Sequence, residues 1–401
     1  SGSLGKIPFR ASIGYLNQDG ILKTNNFSRF STAINLNPKF LEDHLSVNVS
    51  VKASQTKNRF ANEGAIGNAV SFDPTQPVTT GNKAWGGYWE WLQNDGNPID
   101  LSNRNPLGLL NLRDNRSKVG RVIGNVQLDY KLHFFPDLHI LANLGMDYMS
   151  GSGNDNIDSL SPTNYKVGGR RTYYEQQKVN NLADFSLFYT KEIKSIRSKI
   201  DVLAGHSYQS FLTKVTNLPS FSYRAIADPT RPGKLDTIQG SEPTFLTDRP
   251  EYRLESYIGR INFTVMDKYL LTASIRSDAS SKLNPDDRVG YFPAVALAWK
   301  MRDDFFRTSN VVSDLKLRLG WGITGQQDGI GYYSYLPRYS LGNASAQYQF
   351  GNSFVSVLRP EGYDPNLKWE TTTTSNIGLD FGFAKNRISG SIDFYSRKTE
   401  D

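Results

Sequence analysis

Leu45-Ser46-Val47-Asn48-Val49-Ser50-Val51-Lys52-Ala53-Ser54 alternates without a break. Leu45, Val47, Val49, Val51 and Ala53 lie on one side, and Ser46, Asn48, Ser50, Lys52 and Ser54 on the other. Successive side chains of a strand point to opposite faces, so this stretch specifies a ribbon with one apolar and one wet surface.

The pattern recurs along the chain. Val122, Val126, Leu128 and Leu132 oppose Asn125, Gln127, Asp129 and Lys131, while Leu138, Ile140, Ala142, Leu144 and Met146 oppose His139, Asn143 and Asp147. Ile261, Phe263 and Val265 oppose Arg260, Asn262 and Thr264, and Ile388, Ile392 and Phe394 oppose Ser389, Ser391 and Asp393. No comparable stretch has a helical period, so the chain reads as all-β.

Within 401 residues there is no linker, composition shift or low-complexity tract, so residues 1–401 read as a single region. The alternation and its breaks predict thirteen strands, at 6–19, 25–37, 44–57, 118–133, 137–151, 173–191, 198–217, 248–266, 268–283, 288–301, 314–327, 368–384 and 387–400. Many exceed ordinary globular strands, and their polar face carries charge, the pattern of a large antiparallel transmembrane barrel with an apolar exterior and a polar lumen. Mean hydropathy is -0.49, and no apolar run approaches the ~20 residues of a spanning helix. In lipid only a closed barrel then satisfies every backbone group.

Linkers alternate in length. Those after even strands are short, around 38–43, 134–137, 193–197, 267–268 and 384–386; long ones follow odd strands near 58–117, 152–172, 218–247 and 328–367. Barrels of the outer membrane have short periplasmic turns and long extracellular loops, which sets the expected orientation. The segments 20–24, 284–287 and 302–313 break the rule of length. Aromatic residues near strand ends, Tyr130, Phe134, Phe135, Tyr148, Tyr189, Tyr269, Tyr291, Trp299 and Tyr395, suit interfacial girdles.

The chain has no cysteine, which excludes disulfides and thiolate metal sites. A net charge of +7 comes from dispersed Lys and Arg; it fits lumen lining and contact with an acidic lipid surface, and argues against nucleic acid. Ser1-Gly2-Ser3-Leu4-Gly5 is not a signal peptide, and strand patterns at both ends suggest an internal piece.

The last third carries a resemblance. Tyr291-Phe292-Pro293-Ala294-Val295-Ala296-Leu297-Ala298-Trp299 is followed by Ser313-Asp314-Leu315-Lys316-Leu317-Arg318 and by Gly320-Trp321-Gly322-Ile323-Thr324-Gly325. Then come Asn366-Leu367-Lys368-Trp369-Glu370-Thr371-Thr372, Asn376-Ile377-Gly378-Leu379-Asp380-Phe381-Gly382 and Arg387-Ile388-Ser389-Gly390-Ser391-Ile392-Asp393-Phe394-Tyr395, with Lys398-Thr399 after them. Ser12-Ile13-Gly14-Tyr15 and Gln18-Asp19-Gly20-Ile21-Leu22 belong to the same series, which resembles the barrel of SusC/RagA-like TonB-dependent outer-membrane transporters of Bacteroidota. The resemblance implies a plugged barrel of about 22 strands, worked by the TonB complex and capped by a SusD-like surface lipoprotein. It implies import of an oligosaccharide or an oligopeptide, no enzymatic step and no cofactor. The plug and roughly nine strands of such a barrel have no counterpart here, leaving two open edges.

Several groups invite a chemical reading. His133 and His139 flank a turn, with His44 and His206 elsewhere, and lack the spacing of a zinc site. Asp129, Asp147, Asp184, Asp380 and Asp393 recur as the wet face of the ribbon rather than as a hydrolytic pair. Asn154, Asp155, Asn156 and Asp158 bring only two carboxylates and read as a solvated loop more readily than as a calcium site. Gly320 to Gly325 lacks the Lys-Ser/Thr of a phosphate loop and reads as a strand at the rim. The sharpest signal is Trp85-Gly86-Gly87-Tyr88-Trp89-Glu90-Trp91 in the longest loop. Trp85, Tyr88, Trp89 and Trp91 are the candidate contacts to cargo or lid, against the alternative that they pack the loop itself. A soluble carbohydrate-binding or adhesin module would show shorter strands and no alternation of loop length.

Overall fold

A computed structural model describes residues 1–401 except Lys6, Asn82, Asp228, Arg231, Glu242, Thr244, Phe245, 343–346 and Asp401. Among the described residues thirteen long strands form: β1 (Ile7–Asp19), β2 (Asn26–Leu36), β3 (Leu45–Phe60), β4 (Arg113–Leu132), β5 (Phe135–Ile157), β6 (Arg170–Ile193) and β7 (Ser198–Thr216). They continue as β8 (Glu251–Val265), β9 (Tyr269–Ser280), β10 (Val289–Trp299), β11 (Val312–Gln326), β12 (Glu370–Phe383) and β13 (Ile388–Glu400). Each pairs antiparallel with the next in one meander. Five short strands, Gly2–Leu4, Lys39–Phe40, Phe221–Ala225, Leu235–Thr237 and Thr247–Asp248, extend the sheet to 18 strands. Among the described residues β1 and β13 do not pair, so the sheet is an open part of a barrel.

The register sorts the faces. Val49, Val126, Leu144 and Ala183 share one transverse row, and Ala53, Val122, Tyr148 and Val179 another. On the other face Asn48, Gln127, Asn143, Asp184, Ser207, Ser256 and Asp278 align in turn. That polar row is wired across strands: Asn125 Nδ2 donates to Asn143 Oδ1 at 2.6 Å, Asn143 Nδ2 to Asp184 Oδ2 at 2.9 Å and Ser207 Oγ to Asp184 Oδ1 at 2.5 Å.

The apolar face is left bare. Ile13, Tyr291 and Phe394 expose 78%, 65% and 71% of their surface, as parts of a continuous band far larger than a soluble monomer presents. Aromatic rings bound the band on the same face, with Tyr130, Tyr189, Tyr269 and Trp299 near the end of the short turns and Tyr15, Phe30, Tyr148, Tyr257, Tyr291, Trp321 and Phe394 toward the long loops. Tyr291 and Trp299 are eight residues apart on β10, about 26 Å of strand and about 20 Å across a bilayer at the usual tilt. The expected girdle member Tyr395 is a correction: it pairs with Asn376 on the polar face, and its neighbour Phe394 points to lipid.

The thirteen strands match those expected, with ends displaced. β4, β5 and β6 run to Arg113, Ile157 and Arg170, well past the predicted limits at 118, 151 and 173. Above the membrane both faces are wet, so alternation stops while pairing continues. The long loops therefore shrink to 61–112 and 158–169, while 217–250 and 327–369 remain broad and include the undescribed residues 228, 231, 242, 244, 245 and 343–346. Helices α1 (Gly64–Ser71), α2 (Pro106–Asn111) and α3 (Arg302–Phe305) stand outside the sheet, the first two inside the longest loop. At the other end turns are tight: Lys268 N donates to Val265 O across Met266 and Asp267, both at positive φ, the twist a two-residue hairpin needs.

Candidate functional site

The loop 61–112 folds as a unit. Ala65, Leu109 and Leu110 form a small core, against which Leu22 of the neighbouring turn packs. Asn105, 1% exposed, latches it. Its side chain caps α2 by accepting from Leu107 N at 3.1 Å and Gly108 N at 3.2 Å, and donates to Val78 O at 2.8 Å. Its own N–H donates to Glu90 Oε1 at 3.0 Å. Glu90 is buried, its Oε2 lacks a hydrogen-bond partner, and Arg104 stands 3.8 Å away. Burial raises the Glu90 carboxyl above the usual carboxylate range.

This frame divides the four aromatic candidates. Trp89 and Trp91 meet edge to face at 4.5 Å, and Phe72 packs on Trp91 at 4.9 Å. Tyr88 lies against Gly108 and its hydroxyl accepts from Asn111 Nδ2 at 2.8 Å. Those three rings hold the loop together. Trp85 differs: its backbone is left-handed, φ 54 and ψ 35, a conformation that costs a bulky residue about 1–2 kcal/mol. Its ring meets Tyr165 of the next loop edge to face at 5.4 Å.

Trp85, Asn97, Leu160, Tyr165, Tyr223 and Arg224 line a cleft of about 500 Å³ between three loops. The Gly168-Gly169 doublet makes it possible. Both are at positive φ, and a Cβ at either would strike the neighbouring loop: Arg224 Nε at 2.7 Å from Gly168, and Tyr223 Cδ2 at 2.9 Å from Gly169. An ion pair between Lys166 and Asp100 ties the first two loops, and Arg171 lies over the Tyr223 ring at 5.5 Å. Burial raises the Tyr223 phenol, keeping it a neutral hydrogen-bonding group. Sequence reading missed Tyr165, Tyr223 and Arg224; the glycine doublet was the one local signal that chains approach closely there.

The remaining candidates are tied into the barrel wall. Asp155 is gripped by Arg113 at 2.7 Å and Arg170 at 2.6 Å, while Asn154 and Asn156 alternate to the opposite face, so the oxygen cluster is dispersed. Asp147 pairs with Arg121, Asp129 with His139, and Asp380 and Asp393 share Arg318. His44 stacks on His133 at 4.0 Å, and His206 faces Glu255 at 3.1 Å. Among the described residues no group of three metal-ligating side chains assembles. Gly320 to Gly325 lie within β11, where Gly325 leaves room for the Phe292 ring beside Trp369.

A family model for the TonB dependent receptor-like beta-barrel matches residues 13–401. The chain belongs to the TonB-dependent receptors. It is 39% identical to the TonB-dependent receptor SusC of Bacteroides thetaiotaomicron, covering 100% of this chain and 40% of that protein. It is 26% identical to the TonB-dependent receptor P26 of Formosa agariphila, over 100% of this chain and 39% of that one. In structure it is similar to the RagAB peptide importer in its closed-closed state, with a TM-score of 0.75, 21% identity, and coverage of 99% of this chain and 43% of that chain. The ferric-catecholate import receptor Fiu of E. coli follows the same fold at a TM-score of 0.55 and 11% identity, covering 100% and 55%. This TonB-dependent receptor barrel is of the SusC/RagA type and an outer-membrane protein; the chain spans about 40% of the length of its curated relatives.

Proposed function

We propose that the full-length protein imports an oligosaccharide across the outer membrane, driven through TonB and its plug, with a SusD-like lipoprotein closing the extracellular side. The observation that carries the cargo class is the cleft of Trp85, Tyr165 and Tyr223. Aromatic faces stack on the apolar faces of sugar rings, and Asn97, Ser159 and Arg224 supply the few hydrogen bonds that orient a ligand. The 39% identity with SusC along the whole chain supports the mechanism. No bond of the cargo is broken. A peptide cargo is the second reading, since polar groups such as Asn97 and Arg224 in the cleft suit peptide amides and carboxylates as well as sugar hydroxyls; the likeness to a chain of a peptide importer, at 21% identity, speaks for the fold alone.

The test is uptake by cells carrying the full-length transporter, supplied with neutral oligosaccharides or with oligopeptides of matched length. Saccharide uptake that falls on Trp85→Ala, Tyr165→Ala or Tyr223→Ala, at unchanged membrane abundance, supports the reading. Peptide uptake with the same sensitivity replaces it by the second.

A further inference from the structure

Above the upper aromatic girdle, on the face of the apolar band, the register sets like charges directly opposite each other. Lys57 of β3 pairs with Lys118 of β4, and Arg59 with Arg116 in the next outward row. Opposed cations on neighbouring strands repel, so two such pairs in succession are disfavoured by pairing alone. One carboxylate stands among them, Asp114, at 3.1 Å from Arg59 and 2.9 Å from Arg116. The side chains of Lys57 and Lys118 are exposed and form no ion pair or hydrogen bond among the described residues. Asp19 and Glu175 are held by Asn26 and Tyr173 at 2.8 and 2.7 Å, each with a strand between it and the cations. The four cations border a groove of about 700 Å³ against the turn at 20–25, to which that turn adds Lys23 and the end of β1 adds the carboxylate of Asp19, so five cations face one carboxylate along its lining.

The height of the groove identifies its occupant. Tyr15 and Phe30 share the upper girdle row of Gln55 and Gly120, Tyr148 shares the row of Ala53 and Val122 below it, and Lys57 and Lys118 lie two residues above the first and four above the second. Two to four residues are about 7–13 Å of strand and about 5–10 Å along the membrane normal, and long cationic side chains reach back toward the interface. That is the layer of lipid headgroups. We propose that this outward-facing groove binds the phosphate groups of outer-leaflet lipid. The phosphates supply the negative charge that the paired cations lack, through charge-assisted hydrogen bonds.

The test uses the full-length transporter in detergent, with phosphorylated lipid A, the same lipid dephosphorylated, and inorganic phosphate as probes, and reads bound lipid by native mass spectrometry. Phosphorylated lipid A should be retained, the dephosphorylated lipid should bind roughly a hundredfold more weakly, and the triple variant Lys57→Gln, Arg116→Gln, Lys118→Gln should lose the distinction. Inorganic phosphate at equal concentration should not displace the lipid. Equal retention by the variant, no preference for the phosphorylated form, or displacement by inorganic phosphate would overturn the proposal. Thermal unfolding gives a second readout: without lipid the variant should melt at or above the wild type, because repulsion is relieved, and added lipid should stabilise the wild type alone. A variant that melts lower without lipid would mark the cluster as part of the fold and sink the idea.

Discussion

Four aromatic residues within seven positions do two different jobs, and only Trp85 leaves the loop's interior. Trp85→Ala should reduce uptake without altering abundance or melting, with a loss of about 2 kcal/mol in binding if it is a true anchor. Trp89→Ala or Trp91→Ala should instead remove roughly 1–3 kcal/mol of packing and expose 61–112 to protease. Limited proteolysis beside uptake separates the two; a Trp85 variant cleaved as fast as a Trp89 variant would give Trp85 a packing role as well. Glu90 adds a pH dependence. Its folded pKa is raised, so its contribution to loop stability is complete at acid pH and is lost as pH rises through that value. The loop should therefore resist protease better as pH falls from neutral toward the carboxylate range, and Glu90→Gln should flatten the profile. The cluster was legible in sequence, because three Trp and a Tyr stand together. Its division was not, since Phe72 and Tyr165 reach these rings only through the tertiary fold.

At the scale of the strand, alternation made the sheet legible wherever one face meets lipid and the other water. Val126 and Leu144 are cross-strand partners on the apolar face. Val126→Arg or Leu144→Arg should cost about 2–4 kcal/mol near the midplane, whereas Gln127→Arg, one residue away on the wet face, should be tolerated. Heat-modifiable mobility of the assembled protein measures both; equal tolerance would remove the lipid from one face. The same rule explains where strand ends were misjudged. In β5, Ser150, Ser152 and Asn154 continue the outward row above Tyr148, so the pattern dissolves while the ladder runs on to Ile157. α2 escaped periodicity because it is six residues long, although Asn105-Pro106 is a proper helix start.

Across the whole molecule the alternation of tight turns and broad loops predicts a direction, with the broad loops outside the cell. Single cysteines placed at 61–112, 158–169, 217–250 or 327–369 of the full-length protein should react with an impermeant thiol reagent on intact cells, and cysteines near Asp267 or Lys385 should not. Labelling at the turns alone would invert the orientation. The wall bearing these loops is not level. Nine residues of β5 stand above Tyr148, but only two of β10 above Tyr291, a difference on the order of 15 Å along the normal. The strand wall is thus sloped like a spout, tall at β5 and low at β10, where the loop 327–369 lays Trp369 over Phe292. Under the proposed import, a long cargo would meet Tyr165 and Trp85 on the taller side of this wall before it reaches the lumen.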